Sequence, residues 1–134
     1  EQDKFATQAK GEASIVFAGY QADPLAYIAQ SHVFMQPTCH EGFSVSLVEA
    51  SMMQKPIIAT AVGGNVEIIQ NGKTGILVPA KDSAALEQAM EQLFTDGKLR
   101  DTLAHHARQQ YLERFVFNTI VKERFMELYE KTSH

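Results

Sequence analysis

Four short apolar runs, each bounded by a turn-forming Gly or Pro, punctuate the first eighty residues: Ile15-Val16-Phe17, Val33-Phe34-Met35, Ile57-Ile58-Ala59 and Ile76-Leu77-Val78. Their apolarity is continuous rather than alternating, which marks strands covered on both faces. Segments of helical period separate them, at residues 24–30 after Asp23-Pro24, at 44–53 and briefly near 65–70. Strand and helix alternating at such short spacing predicts an α/β layer with a parallel sheet, doubly wound by right-handed crossovers.

After Pro79 the pattern is helical only. Asp82 is an N-cap candidate, followed by an apolar stripe at Leu86, Ala89, Met90, Leu93 and Phe94. A second helix is expected from about Lys98 to Arg114. A third is expected from an N-cap at Asn118, with Val121, Phe125, Leu128 and Tyr129 on one side. Residues 1–12 are polar and read as a lead-in, so residues 1–134 form one domain with an α/β part over 13–79 and a helical part over 80–134. The opening Glu1-Gln2-Asp3 lacks an initiator Met and reads as a piece cut from a longer chain.

Composition narrows the function. With 134 residues and 45% apolar content the chain can build its own core. A net charge of -4 argues against a surface that gathers many phosphates by bulk attraction, and so against nucleic acid as a partner. Cys39 is the only cysteine, which excludes an intrachain disulfide and a cysteine-based structural zinc site and fits a reducing cytoplasm. No apolar run reaches the length of a membrane span, and the expectation is a cytoplasmic domain whose parent could associate peripherally with membranes.

The chemistry is concentrated in Glu41-Gly42-Phe43-Ser44-Val45-Ser46-Leu47-Val48-Glu49, which follows the second run and opens a helix. In open α/β sheets ligands bind at the carboxyl ends of strands. Gly42 allows close backbone approach, and the free N–H groups of residues 43–46 at the helix start form an anion site suited to a diphosphate. Glu41 precedes the helix and Glu49 lies within it, so the two carboxylates have different roles. Val45, Val48 and Met52 are expected to form the inward stripe, with Glu49 beside Val45 and in need of a partner such as vicinal hydroxyls. Two plainer readings stand beside this one. About one Glu pair at this spacing arises by chance in such a chain, and Ser46-Leu47-Val48-Glu49 matches a capping box in which Glu49 only satisfies a backbone N–H.

Other candidates carry less. Gly63-Gly64 after the third run is a phosphate-approaching turn or, with more weight, a simple connection, while Gly72 and Gly75 read as turn glycines. Neither a dinucleotide-binding glycine fingerprint nor a phosphate-loop lysine motif is present. His40 adjoins Glu41 and is either a phosphate or sugar contact or an idle loop histidine. His105 and His106 point in different helical directions and make no two-ligand metal face. Cys39 is expected to be a small buried thiol without chemistry.

Over nearly its whole length the chain resembles the C-terminal half of the retaining GT-B glycosyltransferases of the family 4 type. The matching elements are Phe17-Ala18-Gly19-Tyr20, Pro37 through Phe43, the Glu-x7-Glu pair at 41 and 49, Lys55-Pro56-Ile57-Ile58-Ala59-Thr60, Gly63 through Ile69, Asn71 through Pro79, and Arg114-Phe115. The resemblance implies a Rossmann-like parallel sheet flanked by helices, with a helical C-terminal segment. It implies that Glu41 positions a donor sugar and that Gly42, Phe43, Ser44 and Val45 hold sugar and diphosphate through backbone amides. Glu49 would bind the ribose and Gly19-Tyr20 would border the base. The implied activity is hexose transfer from a UDP- or GDP-sugar with retention, without a required metal or other cofactor. The basic upstream unit and the N-terminal acceptor domain of the parent would lie outside this chain. Met53-Gln54 departs from the family, which commonly has a small residue and Gly there. The alternatives are a noncatalytic binding module and part of a nucleotide-sugar epimerase.

Overall fold

The computed structural model describes residues 14–116. The polar lead-in and the helix expected from Asn118 lie outside them. The elements in chain order are α1 (Pro24–Gln30), β1 (Phe34–Gln36), α2 (Val45–Met52), β2 (Ile57–Thr60), α3 (Asn65–Ile68), β3 (Ile76–Val78), α4 (Ser83–Thr95) and α5 (Gly97–Gln110). A π-helical turn at Tyr111–Phe115 continues α5.

The strands form one parallel sheet in the order β1-β2-β3, with Phe34 opposite Ile57 and Ile58 opposite Ile76. β2 is central and wholly buried, and its alternate residues divide the core. Ile57 and Ala59 join Ile28, Leu47, Ala50, Ile68, Ile69 and Phe115 on one face. Ile58 joins Val78, Ala89, Leu93 and Leu103 on the other. A strand covered on both faces turns neither side to water, which is why Ile57-Ile58-Ala59 is apolar without a break, Thr60 at its end being the one polar residue.

The first apolar run departs from expectation. Ile15, Val16 and Phe17 are exposed and make no strand. An apolar run favours burial, but a strand also needs a neighbouring ladder to satisfy its N–H and C=O groups, and this run pairs with none of the three strands. The stripe on α4 is likewise narrower than expected. Asp82 does cap the helix, accepting from the Ala85 N–H at 2.9 Å, and Ala89 and Leu93 are buried, but Met90 and Phe94 are exposed. Only the arc of α4 that meets the sheet and α5 is covered.

At the end of α2, Met53-Gln54 forms a helix-ending turn without a glycine. Gln54 sits at φ +56°, its N–H donates to the Ser51 carbonyl, and the Lys55 N–H donates to Ala50. This is the paired hydrogen bonding of a Schellman cap with a left-handed residue just past the helix, the position that glycine occupies at least cost. Gln54→Gly is therefore expected to stabilise the fold by about 0.5–1 kcal/mol, read as a higher urea midpoint at unchanged slope. An unchanged or lower midpoint would show that the Gln54 conformation carries no strain.

Candidate functional site

The site begins at the carboxyl ends of β1 and β2, where two loops leave the sheet side by side. The loop after β1 carries Pro37 to Phe43, and the loop after β2 carries Ala61 to Gly64. The Thr60 Oγ1 hydroxyl donates to the Thr38 carbonyl at 2.6 Å, and the Gly64 N–H donates to the carbonyls of Gly42 and Glu41 at 3.0 and 3.2 Å. The backbones touch. A Cβ at Gly64 would lie 2.0 Å from the Gly42 carbonyl oxygen, and one at Gly63, whose φ is +47°, would lie 1.7 Å from that of Glu41. Gly63-Gly64 is thus the seat on which the Glu41 loop rests, a role stronger than the simple connection favoured from sequence. The buried Asn65 side chain closes the same corner, donating to the Thr60 carbonyl at 2.9 Å.

Between the loops lies a cleft of about 350 Å³ lined by Cys39, His40, Glu41, Gly42, Val62 and Gly63. Cys39 is exposed in it, contrary to the expectation of a buried thiol, because the chain has already left the sheet by Thr38. A larger groove near 1200 Å³, with Ser31, Val33, Pro56 and Met90 in its lining, lies on the other side of the sheet by the amino ends of β1 and β2. No residue from Gln36 to Met53 lines it, so it shares nothing with the carboxyl-end loops where ligands bind in such folds.

Ser44 caps α2, its hydroxyl oxygen accepting from the Leu47 N–H at 3.3 Å. The cap therefore sits two residues before the position that a capping box at Ser46 would need, so Glu49 is not a capping residue. The amides of residues 43–46 donate no hydrogen bond among the described residues. They are orphan donors at the positive end of the helix. The carboxylate of Glu49, half-buried in the middle of α2, makes no hydrogen bond or ion pair among the described residues.

The inward face of α2 differs from the expected stripe. Leu47, Ala50 and Ser51 are buried, while Val45 is 59% exposed and Val48 and Met52 are half-buried. The capping turn at Ser44 sets the rotational phase of the helix, and Ser51 is tolerated inside because its hydroxyl donates to the Leu47 carbonyl at 2.9 Å. Turned this way, Val45 and Glu49 face away from the core. Phe43 is exposed over the loop and its ring lies 6.3 Å from that of Phe115. The end of the π-helical turn thereby reaches the site. Gln110 and Arg114 fasten that segment to the carbonyls of Ile68 and Glu67.

Sequence reading missed Gln36. Its Nε2 donates to Glu41 Oε2 at 2.6 Å and its Oε1 accepts from the Ser44 hydroxyl at 2.8 Å. A polar residue ending an apolar run was the available signal. Gly19 has φ +65° and suits a turn, but Tyr20 is 96% exposed and shares no ring contact or hydrogen bond with Glu41 to Glu49 among the described residues. His105 and His106 stand apart from the site, with His106 Nδ1 3.2 Å from the Lys73 carbonyl oxygen, and no group of potential metal ligands forms among the described residues. No described helix is long and apolar enough to cross a membrane.

Residues 1–96 match the family model for group 1 glycosyl transferases. The chain belongs to this family. It is 31% identical over 82% of its length to the capsular polysaccharide biosynthesis glycosyltransferase CapM of Staphylococcus aureus. Its fold is similar to Anabaena HepE, solved in complex with UDP, with a TM-score of 0.80 and 25% identity over 94% of this chain. It also matches the C-terminal domain of the group 1 protein LpcC from Francisella tularensis over 84% of this chain and 60% of that one, at 26% identity and a TM-score of 0.73. The chain spans about a third of CapM and HepE, 32% and 36% of their lengths. These likenesses agree with the Rossmann-like, GT-B architecture expected from sequence.

Proposed function

We propose that this chain is the donor-binding part of a retaining hexosyltransferase that uses a UDP- or GDP-sugar. The observation that carries the reading is the arrangement at the β1 end. A carboxylate at Glu41, four amides at residues 43–46 and a carboxylate at Glu49, the amides and the latter without partners among the described residues, follow one another along the start of one helix. Sugar hydroxyls at Glu41, a diphosphate over the amides of Gly42 to Val45 and ribose hydroxyls at Glu49 match that succession in order and in chemistry. The base is assigned to the Gly19-Tyr20 turn. UDP in the HepE structure lends further support.

In this reading the helix-start amides stabilise charge on the departing diphosphate, and basic residues outside the chain contribute to the same stabilisation. Glu41 orients the sugar so that the leaving bond faces the acceptor domain of the parent. The reading assigns no metal and no other cofactor to the site.

Titration of the full-length parent with UDP, GDP, UDP-glucose and GDP-mannose tests it. Glu49→Ala is expected to weaken the preferred nucleotide and its sugar conjugate equally, by about tenfold, the equivalent of one charged hydrogen bond to ribose. Glu41→Ala is expected to leave nucleotide affinity within about twofold and to remove the gain contributed by the sugar. The proposal is wrong if no nucleotide binds at millimolar concentration, or if Glu49→Ala binds as well as the wild type.

A further inference from the structure

Three hydrogen bonds run in one direction beneath the proposed sugar site. The Leu47 amide donates to Ser44 Oγ at 3.3 Å, the Ser44 hydroxyl donates to Gln36 Oε1 at 2.8 Å, and Gln36 Nε2 donates to Glu41 Oε2 at 2.6 Å. The backbone of α2, the last residue of β1 and the Glu41 carboxylate are thereby joined in one chain of donors. Ser44 is 4% exposed and Gln36 is half-buried, so the middle of the chain is shielded from water.

The direction of each bond is fixed by what feeds it. Ser44 Oγ accepts the Leu47 amide as an N-cap, and its own proton is then free to donate onward. Gln36 accepts that proton at its carbonyl oxygen, which orients its amide and turns the NH2 group toward Glu41. An amide nitrogen can only donate, so the partner it demands is an acceptor, and an ionised carboxylate is the strongest acceptor a side chain offers. One oxygen of Glu41 is held this way. The other has no hydrogen-bond partner among the described residues.

We infer that Gln36 is a positioning residue for donor-sugar recognition, locking the Glu41 carboxylate in place so that its free oxygen receives the sugar hydroxyls. The inference rests on the assignment of the sugar to Glu41 made above. A glutamate without this brace samples several rotamers, and binding a hydroxyl pair must then order it. With the brace, that ordering is complete before the donor arrives. Helix α2 therefore contributes twice, through its free amides to the diphosphate and through Leu47, Ser44 and Gln36 to the sugar. Glutamine suits this position because it carries both an acceptor and a donor, whereas Leu or Met would continue the apolar run of β1 but leave the Ser44 hydroxyl proton without its acceptor and the Glu41 carboxylate without its donor.

The test uses the full-length parent and compares affinity for UDP-glucose with UDP, or GDP-mannose with GDP where the titration above selects that base. The ratio of the two is the contribution of the sugar. Gln36→Met keeps the length and approximate volume of the side chain and removes both hydrogen bonds. It is expected to lower the ratio about tenfold while nucleotide affinity stays within about twofold, and to lower it no further in a Glu41→Ala background. Equal loss of nucleotide and nucleotide-sugar affinity would mean that Gln36 only supports the fold, and would overturn the inference. So would a wild-type ratio in Gln36→Met while Glu41→Ala lowers it. If Glu41→Ala itself leaves the ratio unchanged, the sugar is not at Glu41, and the assignment above fails along with the brace. Gln36→Glu supplies a second variant: it places a like charge beside Glu41, and is expected to lower the ratio more than Gln36→Met does, with a wild-type ratio counting against the brace.

Discussion

Gly64→Ala is expected to lower stability by about 3 kcal/mol and, under the donor-binding function proposed above, to abolish nucleotide-sugar binding. The added methyl group would lie 2.0 Å from the Gly42 carbonyl oxygen and 3.0 Å from the Phe43 Cα, and the obstructing atoms are backbone, which cannot rotate away as a side-chain tip can. Relief requires the two loops to part. That breaks the Gly64 N–H bonds to Glu41 and Gly42 and moves the carboxylate and the amides that follow it. Thermal or urea unfolding measures the first effect, and donor titration of the variant measures the second. Gly42→Ala is the control, because a Cβ there meets nothing within 4 Å, and its stability should stay within about 0.5 kcal/mol of wild type. A melting temperature for Gly64→Ala within a degree or two of wild type would refute the close approach of the loops.

Leu47→Ala should cost about 3 kcal/mol in urea unfolding, the range found when a wholly buried leucine is truncated and its cavity persists. Leu47 is fully buried among Ile28, Ile57, Ile68 and Phe115, elements that come from every part of the first cluster. The surrounding strand and helices cannot collapse into the gap without losing sheet register. Val45→Ala, two residues away and 59% exposed, should change stability by less than about 0.5 kcal/mol. The pair distinguishes the observed face of α2 from the stripe of Val45, Val48 and Met52 read from sequence. Comparable losses in the two variants would restore that stripe.

The sheet was legible where its signals were local. Ile57-Ile58-Ala59 is apolar without interruption because β2 is covered on both faces, and Pro56 marks its start. Asp82 was readable as an N-cap because a carboxylate before a helix accepts a nearby amide wherever the helix packs. The segment from Glu41 to Glu49 was legible as a helix start with free amides for a similar reason, since orphan amides follow from any helix start.

What escaped the sequence concerns partners that no local period or cap signal names. Ile15-Val16-Phe17 has the composition of a strand, but no strand among the described residues pairs with it. The phase of α2 was misread because five apolar side chains, Val45, Leu47, Val48, Ala50 and Met52, allow more than one inward face, and capping at Ser44 with packing on β2 chose Leu47 and Ala50. Gln36 drew no reading from sequence, because a glutamine after an apolar run does not announce which side chains its amide will meet.

Sequence by itself determined that this chain is a parallel α/β layer followed by helices, and that Glu41, the amides after it and Glu49 share one helix start, since strand runs, caps and turn residues act over a few neighbours. Tertiary structure alone decided that Gly63-Gly64 supports the Glu41 loop and that Gln36 braces its carboxylate. The first depends on adjacent parallel strands releasing their loops side by side, a proximity created by strand pairing between residues 23 apart, as at Phe34 and Ile57, and the second on the path of the irregular loop between β1 and α2, which returns Glu41 and Ser44 to Gln36 five and eight residues on; neither follows a helical or strand period that a local pattern could carry.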